Sequence, residues 1–189
     1  MDKLLDILLT SQDFREENKK DLKIYELWFE ENKEKLLQEL EHLVQRTPGY
    51  ENWKMDYSKE SLEGLGKWLK ENVETEKLGE EDYEKVRASV PDYIDIDDWT
   101  FTPETRAILL DAGIYFGEVF IRNHSGLKWE QYFSTSKNKD IDHGNMVIPL
   151  KKSNLSPVNI LFVLGYGLVD GSRGEDRLKE LYEVWEEYL

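Results

Sequence analysis

The chain has 189 residues, 39% hydrophobic and 12% aromatic, with 40 Asp and Glu against 25 Lys and Arg and a formal net charge of -15 at pH 7. That length suits one domain with its own core, and the aromatic content excludes a disordered polymer despite 34% charged residues. The lack of cysteine excludes disulfides, thiolate metal sites and thiol nucleophiles, while the acidic balance argues against nucleic acid and anionic lipid and in favour of basic partners.

At the N-terminus, Asp2 and Lys3 precede and Asp6 interrupts the apolar run Leu4, Leu5, Ile7, Leu8, Leu9, and no small-residue cleavage site follows. This is not the pattern of a secretory signal. Nowhere does an apolar stretch approach the roughly 20 residues that span a bilayer, so a soluble cytoplasmic protein is expected. Leu22, Tyr25, Trp28 and Phe29, then Leu36, Leu37, Leu40, Leu43 and Val44, recur at three and four residues and predict an amphipathic helix from about Lys20 to Arg46. Thr47-Pro48-Gly49 stops it. Ser58 reads as the N-cap of a second helix with Leu62, Leu65, Leu69 and Val73 on one side. A shorter helix is expected from Glu80 to Ser89 and is ended by Pro91, which pushes the residue before it out of the helical region. Asp92 to Trp99 then reads as an irregular acidic connection.

Thr102-Pro103-Glu104 is a strong helix start, with a side-chain acceptor at the cap, proline in the first turn and an acid at the positive end of the dipole. The helix it opens, about 102–123, is apolar on most sides and belongs at the centre of a fold. Beyond it, Leu127, Trp129, Gln131 and Phe133 alternate with polar residues, and Met146 to Leu150 reads as a second strand, which together predict an antiparallel hairpin over about 127–150. Pro149 belongs at an edge or at the strand's own end, having no amide to give a ladder. Ser156-Pro157 opens an apolar helix running to about Val169, and Leu178, Leu181, Tyr182, Val184 and Trp185 mark a last amphipathic helix. The expected fold is therefore a single α+β domain, mainly helical, with helices packed around the central one and a small hairpin.

Four groups of residues could carry chemistry. On the central helix, Asp111, Tyr115, Glu118 and Arg122 are spaced by four, three and four and share one face. They would line a pocket in which Glu118 acts as acid or base, with Tyr115, Arg122 and Trp129 around it; alternatively, Glu118 and Arg122 form a buried ion pair. The cluster Asp92, Asp95, Asp97 and Asp98 has the wrong spacing for the twelve-residue calcium loop, since Asp97 stands at its sixth position and Pro103 at its twelfth. Asp140, Asp142 and His143 lack further partners at ligand-like spacing. No nucleophile elbow, phosphate loop or dinucleotide fingerprint is present, and the basic spots Lys137 with Lys139 and Lys151 with Lys152 are too sparse for a phosphate backbone. Neither a metal nor a cofactor is expected.

The charge is unevenly placed. Residues 51–100 hold 15 acids and 7 bases, a net of -8, against -4 for residues 1–50 and -3 for residues 101–189. The excess includes Glu80, Glu81, Asp82 and Glu84 on the third helix and Asp92, Asp95, Asp97 and Asp98 after it, interleaved with Tyr83, Tyr93 and Trp99. Rings among carboxylates suit an interface with a basic protein, the rings as anchors and the charges as a filter on partners; the same residues also suit a core aromatic pair beside a solvated acidic surface. Gly113 to Asn123 followed by Gly126-Leu127-Lys128-Trp129, a helix with Gly-Glu near its middle leading into a Trp-bearing strand, resembles small bacterial proteins of the toxin-immunity type. That resemblance implies a protein that binds a toxin without catalytic residues. The reading that follows is an acidic protein-binding module, an immunity-type or antitoxin-like inhibitor of a basic toxin, with binding residues Glu80, Glu81, Asp82, Glu84, Asp92, Asp95, Asp97, Asp98 and Trp99. The alternative is an enzyme or small-ligand binder at Glu118, Arg122 and Tyr115.

Overall fold

The structure, a computed structural model, describes residues 14–189; the N-terminal segment read above as lacking a secretory signal lies outside them. Helix α1 (Lys19–Arg46) starts where Asn18 accepts hydrogen bonds from the amides of Lys20 and Asp21, satisfying two donors that the helix cannot. It buries Leu22, Tyr25, Phe29, Leu37, Leu40 and Val44, most of the face its periodicity predicts, with Trp28 and Leu36 half-buried and Leu43 exposed. Helix α2 (Ser61–Asn72) begins two residues later than Ser58 as N-cap suggested, with Glu60 at the cap position. Ser58 still serves the start from outside the helix, its Oγ accepting from the Ser61 amide at 3.1 Å.

Strand β1 (Thr75–Lys77) pairs antiparallel with β2 (Trp99–Phe101), Thr75 opposite Phe101 and Lys77 opposite Trp99. Sequence reading placed Trp99 in an irregular connection and found neither strand, because three residues are too few for alternation to declare itself. Helix α3 (Glu80–Ser89) lies between them, bounded as expected.

Helix α4 (Pro103–Asn123) is the centre of the molecule. Thr102 caps it, its Oγ1 accepting from the Thr105 amide at 3.1 Å, and twelve of its residues are buried, from Thr105 to Phe120. Each buried Leu, Ile or Phe on such a helix contributes about 1.5–3 kcal/mol relative to exposure. Three short strands follow in the order β3 (Glu130–Gln131), β4 (Met146–Pro149), β5 (Asn154–Leu155), each neighbour antiparallel. The hairpin is thus shorter than the alternation of residues 127–133 suggested, with Trp129 buried but Phe133 42% exposed, and β5 adds a third strand. Pro149 sits at the end of the central strand, opposite Asn154. Helix α5 (Pro157–Val169) takes proline in its first turn, but Ser156 makes no side-chain cap bond, so proline's preset φ starts this helix without a cap. Helix α6 (Arg177–Glu186) buries Leu178 and Tyr182.

The fold is α+β and mainly helical, six helices and two small sheets among the described residues, and none of these helices is long and apolar enough to cross a membrane. Helix α5 packs on α4 at almost backbone distance. A Cβ on Gly113 would stand 2.6 Å from the Val158 Cα, and one on Gly165 would stand 2.8 Å from a Leu109 methyl. Gly113→Ala therefore has to push α5 away from the core, and the urea midpoint should fall by the equivalent of about 1–3 kcal/mol. An unchanged midpoint would show that this contact is not needed.

Candidate functional site

Glu118 is 6% exposed, and both its carboxylate oxygens are engaged by this chain. The Trp129 indole N–H donates to Oε1 at 2.9 Å, Lys33 Nζ from α1 lies 3.2 Å from the same oxygen, and Arg122 Nε lies 3.4 Å from Oε2. The indole reaches it because Gly117 has no side chain: a Cβ there would stand 2.2 Å from the Trp129 ring. Arg122 is the outermost of the three partners. It is 44% exposed at its side chain, and its guanidinium lies 3.5 Å from the centroid of the Tyr57 ring. Tyr57 itself is held at a φ of 59°, unusual for a residue with a side chain. Its amide donates to the Tyr115 hydroxyl at 3.2 Å and its carbonyl accepts from Asn123 at 2.8 Å. The Tyr115 hydroxyl is also 2.6 Å from Ser61 Oγ, and burial pushes its phenol up to about 12.

The stripe Tyr115, Glu118 and Arg122 thus ties α4 to α1, to the β3 hairpin and to the segment before α2. Catalytic acid or base work needs a carboxyl within bonding reach of a reactant, whereas these donors belong to the protein. Asp111, the fourth member, behaves differently. Burial, with the like charge of Glu39 second, pushes its carboxyl up to about 8.

The acidic residues of α3 and the following connection form a second locus. Glu80, Glu81, Asp82, Glu84, Asp92, Asp95, Asp97 and Asp98 are all exposed, and no residue of α3 is buried. Between Glu74 and Asp98 the chain carries ten acids and three bases, a net of -7. This arm keeps its shape through a few contacts. The Leu78 amide donates to the Asp98 carbonyl at 2.7 Å, and the Arg87 guanidinium gathers the carbonyls of Val90, Pro91 and Ile94, the last at 2.7 Å. Lys85 lies 3.0 Å from Glu81 and 3.1 Å from Asp82, exposed pairs worth little to stability. Acids in the first turn also suit the helix dipole.

Two clefts open beside this arm. The larger, about 640 Å3, has an apolar surface of Leu78, Val86, Ile96, Trp99 and Tyr166 and carries Asp82, Asp95 and Asp97, with Arg106 also lining it. The smaller, about 530 Å3, is lined by Leu78, Tyr83, Glu80, Glu84, Asp98 and Lys77. Of the nine residues expected to bind a partner, seven line these clefts; Glu81 pairs with Lys85, and Asp92 is exposed on the connection. Trp99 has both roles considered for it: half-buried, it packs on Phe101 and Tyr166 at centroid distances of 5.7 and 5.5 Å while lining the larger cleft. The apolar surface was missed in the sequence. Val86 and Ile96 lie among charges, and Tyr166 arrives from α5, far along the chain.

His143 is buried, and its Nδ1 accepts from the Ser134 amide at 3.1 Å, so the ring fixes the loop after β3; burial lowers its pKa, with Lys139 adding to the effect. Asp140 accepts from the Tyr132 hydroxyl at 2.9 Å and Asp142 from the Asn159 side-chain Nδ2 at 2.8 Å. Among the described residues no group of three or more His, Asp or Glu is placed to hold a metal ion. Comparison with protein-family models, with curated proteins and with solved structures finds no match.

Two outcomes are expected. Glu118→Ala leaves the Lys33 ammonium and the Trp129 N–H without their acceptor and should cost about 3–5 kcal/mol in urea unfolding; in a double-mutant cycle, Lys33→Met should recover part of that loss, and strict additivity would deny the pair. Asp111 holds its proton more tightly folded than unfolded, where its pKa is about 3.9. Its contribution is therefore full below about pH 4 and is lost as pH rises towards 8. Asp111→Asn should gain stability relative to the parent as pH rises from about 4 to about 8 and hold that gain above it; a difference that stays constant with pH would contradict the raised pKa.

Proposed function

We propose that this protein is a binding module whose arm from Glu74 to Asp98 receives a basic protein, in the manner of an immunity-type inhibitor of a basic toxin. The observation that carries the reading is the convergence of Asp82, Asp95, Asp97 and Trp99 on one apolar cleft beside a helix that buries none of its residues. An exposed arm with Val86 at 41%, Ile94 at 41% and Tyr93 at 86% exposure offers apolar anchors amid carboxylates. Interfaces draw their energy from a few desolvated rings and aliphatics, while surrounding charges speed encounter and reject partners of the wrong sign. A lysine or arginine entering the larger cleft would lay its methylene stem on Trp99 and bring its charge to the aspartates. The engaged carboxylate of Glu118 lends no support to the enzymatic alternative.

The test neutralises Glu80, Glu81, Asp95 and Asp97 together, as Glu80→Gln, Glu81→Gln, Asp95→Asn and Asp97→Asn. All four are exposed, so the melting temperature should stay within a few degrees of the parent. Immobilised parent should capture a basic protein from the native host at low salt and less of it at physiological salt, and the quadruple variant should capture none. Equal capture by parent and variant, or none by the parent at either salt, would sink the reading.

A further inference from the structure

Helix α5 contains no charged residue along Pro157–Val169. A helix apolar on every side belongs inside a protein, yet Val163 is 71% exposed and Tyr166 46%. At 100° per residue Val163 is the crest of this helix, with Ile160, Leu164 and Gly167 on one flank and Phe162 and Tyr166 on the other. The two flanks differ in charge. On the Ile160 side a groove of about 250 Å3 between α5 and α6 is lined by Ile160, Leu164 and Leu181, rimmed by Val163, and carries Arg173 and Arg177, with Asn159 and no acid in its lining. The Tyr166 side opens into the aspartate cleft.

We propose that this ridge is the interface of a symmetric homodimer, in which two copies stack α5 on α5 about a two-fold axis running along the helix, so that Arg173 and Arg177 of each copy oppose Asp82, Asp95 and Asp97 of the other. A two-fold interface must match itself, each patch meeting its own copy. Rotation about an axis along the ridge exchanges the two flanks and lays arginine against aspartate, with Val163 against its own counterpart. Rotation about an axis across the ridge lays aspartate on aspartate. A partner of one sign satisfies only one flank, which is why a second copy fits best. The three local cations are accounted for: Arg173 donates to the Ser172 carbonyl at 3.4 Å, half-buried Arg177 pairs with Glu180 at 2.9 Å, and Arg106 in the cleft donates to the Phe101 carbonyl and to Thr100. This inference does not rest on the basic partner proposed above; because both occupants use the aspartate cleft, they compete for it.

Sedimentation velocity on the full chain over a micromolar to submillimolar range tests it. The parent should dimerise, with weaker association as salt rises. Val163→Glu replaces a residue already in solvent, should keep the parent's melting temperature, and should raise the dissociation constant at least about tenfold. The charge-reversed pairs Arg173→Glu with Arg177→Glu, and Asp95→Lys with Asp97→Lys, should each be monomeric alone. Mixed in equal amounts they should form a heterodimer, since every reversed flank then meets its reversed counterpart and every parent flank a parent one. A parent that is monomeric throughout overturns the proposal, as does a dimer indifferent to Val163→Glu. A monomer whose Val163 methyl resonances shift on adding decanoate would also overturn it and assign the arginine groove to a small amphipathic carboxylate.

Discussion

The structure depends on how closely other elements can approach one face of α4. Gly113 and Gly117 are one turn apart on that face, and each lets something in that any side chain would exclude: the Val158 backbone of α5 at the first, the Trp129 ring at the second. Interiors are packed like crystals, and a single extra methyl at such a contact is felt. With α5 set down on α4, its opposite side becomes the outer wall of the molecule, which is where Val163 and Tyr166 emerge. With Trp129 set down on Gly117, its N–H arrives at Glu118. The buried polar cluster and the exposed ridge therefore follow from the same two missing side chains.

Glu118 illustrates why a buried acid is poor evidence for catalysis. A carboxylate taken out of water has to be met by donors or lose its charge, and here an indole, an ammonium and a guanidinium come from three elements to meet it. What this arrangement supplies is registry: Lys33 fixes how far along α1 the central helix sits, and Trp129 fixes the hairpin. The Tyr57 and Tyr115 contacts add a further tie to the segment before α2, at the cost of one residue in left-handed backbone.

Much of this was readable from residues alone, and the failures have physical causes. Periodicity located α1 almost to the residue because its pattern repeats over more than twenty positions, while start and stop signals bounded α3 and α4, Pro91 ending the one and Thr102-Pro103-Glu104 opening the other. It missed β1, β2 and β5, which are two or three residues long and owe their existence to a partner strand brought by the tertiary fold. The stripe on α4 was visible from spacing, and Arg122 was the natural partner for Glu118 at four residues. The nearer donors, Lys33 and Trp129, come from other elements: Trp129 was placed near Glu118 only as the wall of a pocket, and no spacing rule reaches Lys33. Likewise, the acids of the arm could be counted in the sequence, while the cleft they surround needed Tyr166, whose place depends on α5 crossing α4 at Gly113 and Gly165.

The arm contrasts with everything it is attached to. Its helix α3 buries nothing, so the hydrophobic term that holds α4 in place is missing, and isolated ten-residue helices are marginal in water. What remains is the short ladder of β1 with β2, the Leu78 to Asp98 bond and the hold of Arg87 on three carbonyls. Ten acids against three bases repel one another across this small unit, a cost that persists for as long as the charges face only water. Any cationic surface that covers the arm removes that repulsion and supplies apolar contact to Val86, Ile96 and Trp99 at the same time. The region least stabilised by the fold is therefore the one with the most to gain from a partner, whether that partner is a basic protein or the arginine flank of a second copy.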